Sequence, residues 1–260
     1  GGMGQSLVIT SGKGGSGKST VAVNLGAALA AEGRTVALVD MDMGMRSLDI
    51  LCGLENRIVY DLADVADGIC RVKQAIVKHP SVPNLSLISA AQTRGSDALS
   101  PVRSRELMDE LKQRFDWVLI DSPAGVGRGF RNAAAGADQA LIVAQADPVS
   151  MRDAERVAGL LERCDILRPF VAFNRVRCAG RAGVRLAEER AERLSLPLVA
   201  VIPEDAMVPG AAPEKPVSLG GSPAGRAVRE LARRLMGEDL PIGPIRRERL
   251  IKRIARAIRQ

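Results

Sequence analysis

The chain has 260 residues, 46% of them hydrophobic, enough to bury a substantial core, so one α/β domain with a tail is expected rather than two domains. Aromatic residues make up only 2%, which leaves aliphatic cores and little material for base-stacking platforms; the single histidine, His79, excludes a histidine-based metal site or triad, and Cys52, Cys70, Cys164 and Cys178 form no CxxC pair, as expected of reduced cytosolic thiols. The net charge of +7 is unevenly placed, because the segment Arg246 to Gln260 alone carries +6, so the body is nearly neutral and the basic tail reads as a local device for binding something anionic.

In chain order, Gly1-Gly2 ahead of Met3 is expected to be a cloning remnant, and no signal peptide is expected, since the first apolar run ends at once in a glycine-rich loop. SLVIT (6–10) reads as a strand and TVAVNLGAALAAEG as the helix that ends at Gly33. Between them, GKGGSGKS from Gly12 to Ser19 fits the phosphate-loop pattern G-x-x-x-x-G-K-[ST]. In such a loop, backbone N–H groups of Gly12, Gly14, Gly15, Ser16, Gly17, Lys18, Ser19 and Thr20 cradle phosphates, Lys18 reaches the β and γ oxygens, and the Ser19 hydroxyl sits on Mg²⁺, which points to ATP and Mg²⁺ as cofactors. Lys13 is a second, surplus lysine in this loop.

Further along, TVALVD (35–40), LSLIS (85–89), DWVLID (116–121), QALIVA (139–144), PFVAF (169–173) and LPLVAVI (196–202) are short, nearly continuous apolar runs alternating with helical patterns. That alternation predicts an α/β fold with a doubly wound, mostly parallel sheet of the P-loop NTPase class, with its ligand at the carboxyl ends of the strands. The phosphate loop, Asp40, Asp42 and Asp121 all fall at such ends. The ATPase domain is expected to span 1–237, a Pro- and Gly-rich linker 238–245, and an amphipathic helix 246–260. At about 100° per residue, Leu250, Ile251, Ile254 and Ile258 share one arc with Ala255 and Ala257, while Arg249, Lys252, Arg253 and Arg256 lie on the other.

The K-G-G-x-G-K-[ST] form of the loop resembles the deviant Walker A (ParA/MinD) family of P-loop ATPases. The segments VDMDMGMRSLDILCGLENRIVYDLADV (39–65), AAQTRGSDAL (90–99), DSPAG (121–125), FNRVR (173–177) and VIPED (201–205) extend the resemblance over nearly the whole chain and, with the basic tail, favour the MinD branch. Relatives often carry Asn where this chain has Ser47. The resemblance implies that Lys13 crosses a dimer interface to the partner's nucleotide, supplying in trans what an arginine finger supplies elsewhere, so that Lys13, Lys18 and Asp42 form the catalytic set. It also implies that Asp42 faces the attacking water, that Asp121 holds Mg²⁺ with Ser19, that Asp40 supports that metal group, and that Asn174, Pro203 and Glu204 line an adenine pocket. Arg152 and Asp153 match a region used for dimer and partner contacts, although a charge pair at a helix start explains itself structurally as well.

Fifteen helical residues span about 22 Å, so the tail is too short to cross a bilayer and is suited to lie in an interface. Aliphatic burial and backbone ordering are of similar size for one tail, so a dimer presenting two tails binds where a monomer does not. Packing of the tail on the globular domain and binding of duplex DNA are the competing readings; DNA gives no reason for an aliphatic face, and nucleic acid is not the expected partner. The implied function is an ATP-dependent, dimerising ATPase switch that associates with the anionic inner face of the cell membrane from the cytoplasm and spatially regulates placement of the division septum. Its expected partners are a second copy of the chain when ATP-bound, a MinC-like inhibitor, and a MinE-like or other activator. An FlhG-type flagellar-number regulator and a ParA-type DNA partition ATPase are the alternatives.

Overall fold

The computed structural model describes residues 2–43, 45, 47–91, 99–166 and 168–245. Its strands are β1 (Gln5–Thr10), β2 (Val36–Asp40), β3 (Val77–Lys78), β4 (Leu85–Ile88), β5 (Trp117–Asp121), β6 (Gln139–Ala144), β7 (Phe170–Val176) and β8 (Leu198–Pro203). The helices that matter below are α1 (Lys18–Ala31), α2 (Ser47–Leu51), α3 (Leu62–Ala66), α4 (Val72–Ala75), α5 (Pro101–Lys112), α6 (Arg128–Ala135), α7 (Pro148–Glu162), α8 (Gly180–Leu194) and α9 (Pro223–Leu235). The sheet order is β3-β4-β2-β5-β1-β6-β7-β8, parallel except for β3, which pairs antiparallel with β4.

Each central strand is apolar throughout because both faces are covered. Alternate residues serve opposite layers. Leu7, Ile9, Leu38, Leu119, Leu141 and Val143 pack with Leu25, Leu29 and Leu231 of α1 and α9. Val8, Val39, Ile120 and Ile142 pack with Leu107, Leu111, Phe130, Val157, Leu161 and Val184 on the other face. The expected doubly wound architecture is the one observed. β3 escaped the sequence reading because a two-residue edge strand carries no periodicity.

The helices begin where local chemistry permits. Ser100, Asp147 and Ser222 each accept backbone N–H groups at the start of α5, α7 and α9, and each is followed directly by proline at the first helical position.

The segment 238–245, expected as a Pro- and Gly-rich linker, is docked on the domain. Arg234 of α9 donates to the carbonyls of Leu240 (2.7 Å) and Pro241 (3.0 Å), and Arg181 of α8 donates to that of Ile242 (3.2 Å). Ile245 is buried and forms an antiparallel bridge with Gly180. Proline and glycine prevent regular structure here, but they leave carbonyl oxygens free to accept from arginine. The tail residues Arg249, Leu250, Ile251, Lys252, Arg253, Ile254, Arg256 and Ile258 lie outside the described residues. Among the described residues no helix is long and apolar enough to cross a membrane.

The start of β6 is tied to β1 and α5 by one carboxylate. Asp138 accepts the Ser6 N–H at 2.9 Å and the Lys112 ammonium at 3.0 Å. Burial alone would raise its pKa, but the Ser6 N–H and Lys112 outweigh it and hold the carboxyl below its ordinary range. A depressed pKa contributes stability that is present above the unfolded value and lost as pH falls through the folded one. Because Asp138 is half-exposed, Asp138→Ala should cost only about 1 kcal/mol at pH 7. Urea denaturation should show that deficit shrinking below about pH 4.

Candidate functional site: a phosphate loop over a buried ion pair

β1 ends at Thr10, and the chain crosses seven residues before α1 begins at Lys18. Gly15 and Gly17 take positive φ, 79° and 84°, a region that only glycine enters freely. At Gly17 a Cβ would also overlap the Asn174 amide. The outer side of the loop is open, with nothing within 4 Å of where a Cβ would stand on Gly14 or Gly15. No acidic residue occupies the first turn of α1, so its N-terminal N–H groups remain available to an anion. The Ser16 hydroxyl is buried in this cradle without a hydrogen-bond partner among the described residues.

The loop is held from β7. Asn174 donates its side-chain amide to the Ser16 carbonyl (2.8 Å), and Arg175 donates to the Gly15 carbonyl (2.6 Å). These consecutive side chains reach the same loop because β7 is irregular there: its pairing with β8 shifts between Phe173 and Val176, and Arg175 takes φ 55°. Such bulges re-aim side chains at functional sites. Sequence reasoning missed Arg175; the only available signal was its place in FNRVR. Asn174, expected at an adenine edge, has its amide nitrogen committed to the loop. Together with Gly17, Thr20, Pro203 and Glu204 it lines a cavity of about 1000 Å³. Glu204 is bridged to Arg177 at 3.1 Å.

Beneath the loop lies a charge pair removed from water. The Lys18 ammonium contacts Asp121 Oδ1 directly, and the Ser19 hydroxyl donates to Asp121 Oδ2 at 2.7 Å. Ser47 Oγ donates to Ser19 Oγ at 3.2 Å, which gives a place to the residue whose role the sequence left undefined. Burial raises the Asp121 pKa, with Lys18 and Ser19 acting against it. Asp42 is half-buried beside this cluster, and its pKa is raised by burial, lowered by Lys18 and raised again by Asp121.

Asp40, the carboxylate expected to support the metal group, is buried at the end of β2. Its two oxygens accept the backbone N–H groups of Asp42 (3.0 Å) and Leu48 (3.2 Å), so it fastens the loop that carries Ser47. Its pKa is pushed up to about 7, first by burial and then by the neighbouring Asp121 carboxylate. Among the described residues no three His, Cys, Asp or Glu cluster as a metal group. The nearest fit to a magnesium site is one carboxylate with two hydroxyls, a hard-oxygen set of the kind that holds Mg²⁺ largely through water.

Lys13 lines the mouth of the cavity and faces Asp147, whose carboxyl is held below its usual range by the Ser150 hydroxyl first and by Lys13 among lesser causes. Asp153 of α7 lies against Gly12 so closely that a Cβ on Gly12 would overlap it, which brings the start of α7 onto the loop. The loop, Lys13, Lys18, Ser19, Asp42, Asp121, Asn174, Pro203 and Glu204 therefore share one edge of the sheet. An open cradle with an orphan hydroxyl, a buried lysine and a hydroxyl–carboxylate pair suits a magnesium–triphosphate ligand.

Removing Lys18 leaves Asp121 buried without its cation, a change that costs about 3 kcal/mol or more. A carboxyl whose pKa is raised contributes stability at low pH and loses it as pH rises through the raised value. Urea denaturation of Lys18→Met should therefore show its deficit largest near neutral pH and smaller toward pH 5.

Residues 7–216 match the family model described as CobQ/CobB/MinD/ParA nucleotide binding domain. The septum site-determining protein MinD of Bacillus subtilis is 42% identical over 92% of both chains, and its counterpart from Thermotoga maritima is 41% identical over 92% of this chain and 91% of its own. The solved MinC:MinD cell division protein complex of Aquifex aeolicus contains a chain 38% identical, with a TM-score of 0.81 over 92% of this chain and 98% of that one. The Pyrococcus horikoshii MinD structure, complexed with Mg-ADP, is 28% identical with a TM-score of 0.79 over 90% of this chain and 97% of its own. The loop, the strand order and these likenesses over almost the full length agree, and the chain belongs to the MinD/ParA family of P-loop ATPases.

Proposed function

We propose that this protein is a MinD-type cell-division ATPase that acts as a dimerising, membrane-associating switch. ATP and Mg²⁺ are its cofactors, and the observation that carries the reading is the Lys18–Asp121–Ser19 cluster beneath an open glycine loop with a second lysine at its mouth. Plasmid-partition and McdA structures at 17–22% identity share the fold alone, so the partition alternative gains nothing from them. No observation favours the flagellar one.

The residues divide the work as follows. Backbone N–H groups from Gly12 to Thr20 bind the phosphates, with Lys18 neutralising the β and γ oxygens. Ser19 and Asp121 would hold Mg²⁺, with Ser47 beside them. The metal, when bound, neutralises charge that develops on the phosphates during transfer. Lys18 must give up its contact with Asp121 to reach a phosphate, so the pair of charges is exchanged between partners and neither is left buried alone. Asp42, beside the Lys18–Asp121 pair, positions water, and Lys13 reaches across to a second copy of the chain to complete the charge on the transferring group. Asn174 and Arg175 keep the loop carbonyls turned away from the anion, while Pro203 and Glu204 wall the base pocket.

Attachment follows from assembly. The segment 246–260 acts as an interfacial membrane element, separate from the ATPase domain, and two copies in a dimer supply the avidity that one lacks. The protein then resides reversibly on the inner face of the cell membrane and returns to the cytoplasm after hydrolysis. A MinC-like inhibitor is its cargo, in keeping with the Aquifex complex, and a MinE-like or other factor stimulates turnover.

Two expected outcomes test this reading. Lys18→Ala should abolish nucleotide binding in a fluorescent-nucleotide titration, whereas Lys13→Ala should retain binding yet lose at least tenfold in steady-state turnover; parental turnover by Lys13→Ala would remove the trans role. For the tail, Ile254→Glu should match deletion of residues 246–260 in abolishing ATP-dependent sedimentation with anionic liposomes, while dimerisation in solution survives. Binding that survives both changes would refute the membrane role.

A further inference from the structure

The chain reaches the tail through a socket. Ile245 and Gly180 exchange backbone hydrogen bonds of 2.9 and 3.2 Å. The Ile245 side chain, 9% exposed, occupies the space that Gly183 leaves: a Cβ on Gly183 would stand 2.5 Å from Ile245 Cδ1 and nearer still to the Cys178 carbonyl. Arg181 and Arg234 hold Leu240, Pro241 and Ile242 through their carbonyls. The origin of residues 246–260 is therefore fixed at the first turn of α8.

Covalent reach then limits where a bilayer can be. Leu250, the first large aliphatic of the tail, is five residues beyond Ile245 and so at most about 18 Å from it, and closer in any helical form. A planar surface that receives Leu250 therefore passes within about 18 Å of Ile245, on the side of the domain where α8 begins. That turn exposes Arg181 and, one turn on, Arg185, while the acidic residues Glu188, Glu189 and Glu192 follow farther along the helix. The first turn thus carries a base and no acid, against the preference of a helix N-terminus for acidic residues, while the later turns mix those glutamates with Arg190 and Arg193. Such a first turn suits a surface that meets the helix at its beginning and carries negative charge.

We propose that the folded domain itself contacts the anionic bilayer through Arg181 and Arg185 beside the socketed Ile245, a second membrane surface that orients the ATPase domain on the lipid. The proposal rests on the reading of the tail as an interfacial membrane element. Surface charges act on lipid within a Debye length, about 8 Å at physiological salt, and each basic residue there changes affinity by roughly fivefold.

The test uses the full chain with ATP, Mg²⁺ and vesicles of phosphatidylglycerol and phosphatidylethanolamine. The R181Q/R185Q variant should sediment with vesicles about five- to twentyfold more weakly than the parent, with unchanged ATP turnover in solution, whereas Arg193→Gln at the far end of α8 should bind as the parent does. Cys178 is exposed beside the socket. In a Cys164→Ser background, a fluorophore on Cys178 should be quenched by headgroup-attached quencher only when ATP and vesicles are both present. Vesicle binding of R181Q/R185Q equal to the parent, with deletion of 246–260 still abolishing it, would overturn the domain contact and leave the tail reading standing. A parent that fails to bind vesicles at all would overturn both. Loss of duplex DNA binding by R181Q/R185Q without any change on vesicles would assign the surface to nucleic acid and overturn the proposal.

Discussion

A lysine ammonium and a carboxylate, the one 6% and the other 0% exposed, meet where β1 runs into α1 and where β5 ends, and the positions of the remaining site groups follow from that meeting. Two ions held out of water are tolerated only when each answers the other and the spare lone pairs are occupied. Here Ser19 occupies the second Asp121 oxygen. The strand register brings this about: Ile9 stands opposite Asp121 on one side and Asp40 stands opposite it on the other. With the glycine loop beginning at Gly12, three residues after Ile9, loop and carboxylates cannot avoid converging. On the proposed reading, a ligand that presents both a metal and phosphates would offer each ion a new partner.

The carboxylates divide according to what surrounds them. Asp121 keeps a cation and a hydroxyl, whereas Asp40 has only backbone N–H groups and a like charge beside it, and its pKa is pushed up to about 7, first by burial and then by that like charge. Asp40 thereby spends its acceptors on fixing the loop that brings Ser47 to Ser19. Position along a strand end was common to both residues, and the structure separates the one paired with Lys18 and Ser19 from the one that anchors a loop.

Legibility followed the same line between pattern and particular contact. The parallel sheet was readable because β2, β5, β6 and β8 are continuous apolar runs, and the phosphate loop because its glycines and lysine have a fixed spacing. Arg175 was not readable, since its reach to Gly15 depends on an irregularity in β7 that leaves no periodic trace. The docking of 238–245 was hidden for a related reason: Pro and Gly announce the absence of a helix, while the arginines that receive the segment, Arg181 and Arg234, are distant in sequence and look like ordinary helix-surface charges. Asn174 was read for a base-facing role, and its contact with the loop carbonyl became visible only once β7 and the loop were side by side.

One strand thus supports the phosphate loop at its end and leads within a few residues to the socket that holds the root of the tail. Nucleotide, second subunit and lipid meet in one device on this account, and its central claim is that catalysis needs a second copy of the chain to bring Lys13 to the site. The most direct measurement is the ATPase rate per subunit, at saturating Mg-ATP, as protein concentration is varied across the dimerisation range. The account predicts a specific rate that rises with concentration and then levels off as the dimer fills. A specific rate that is the same at every concentration, with sedimentation showing monomer at the lowest, would contradict it.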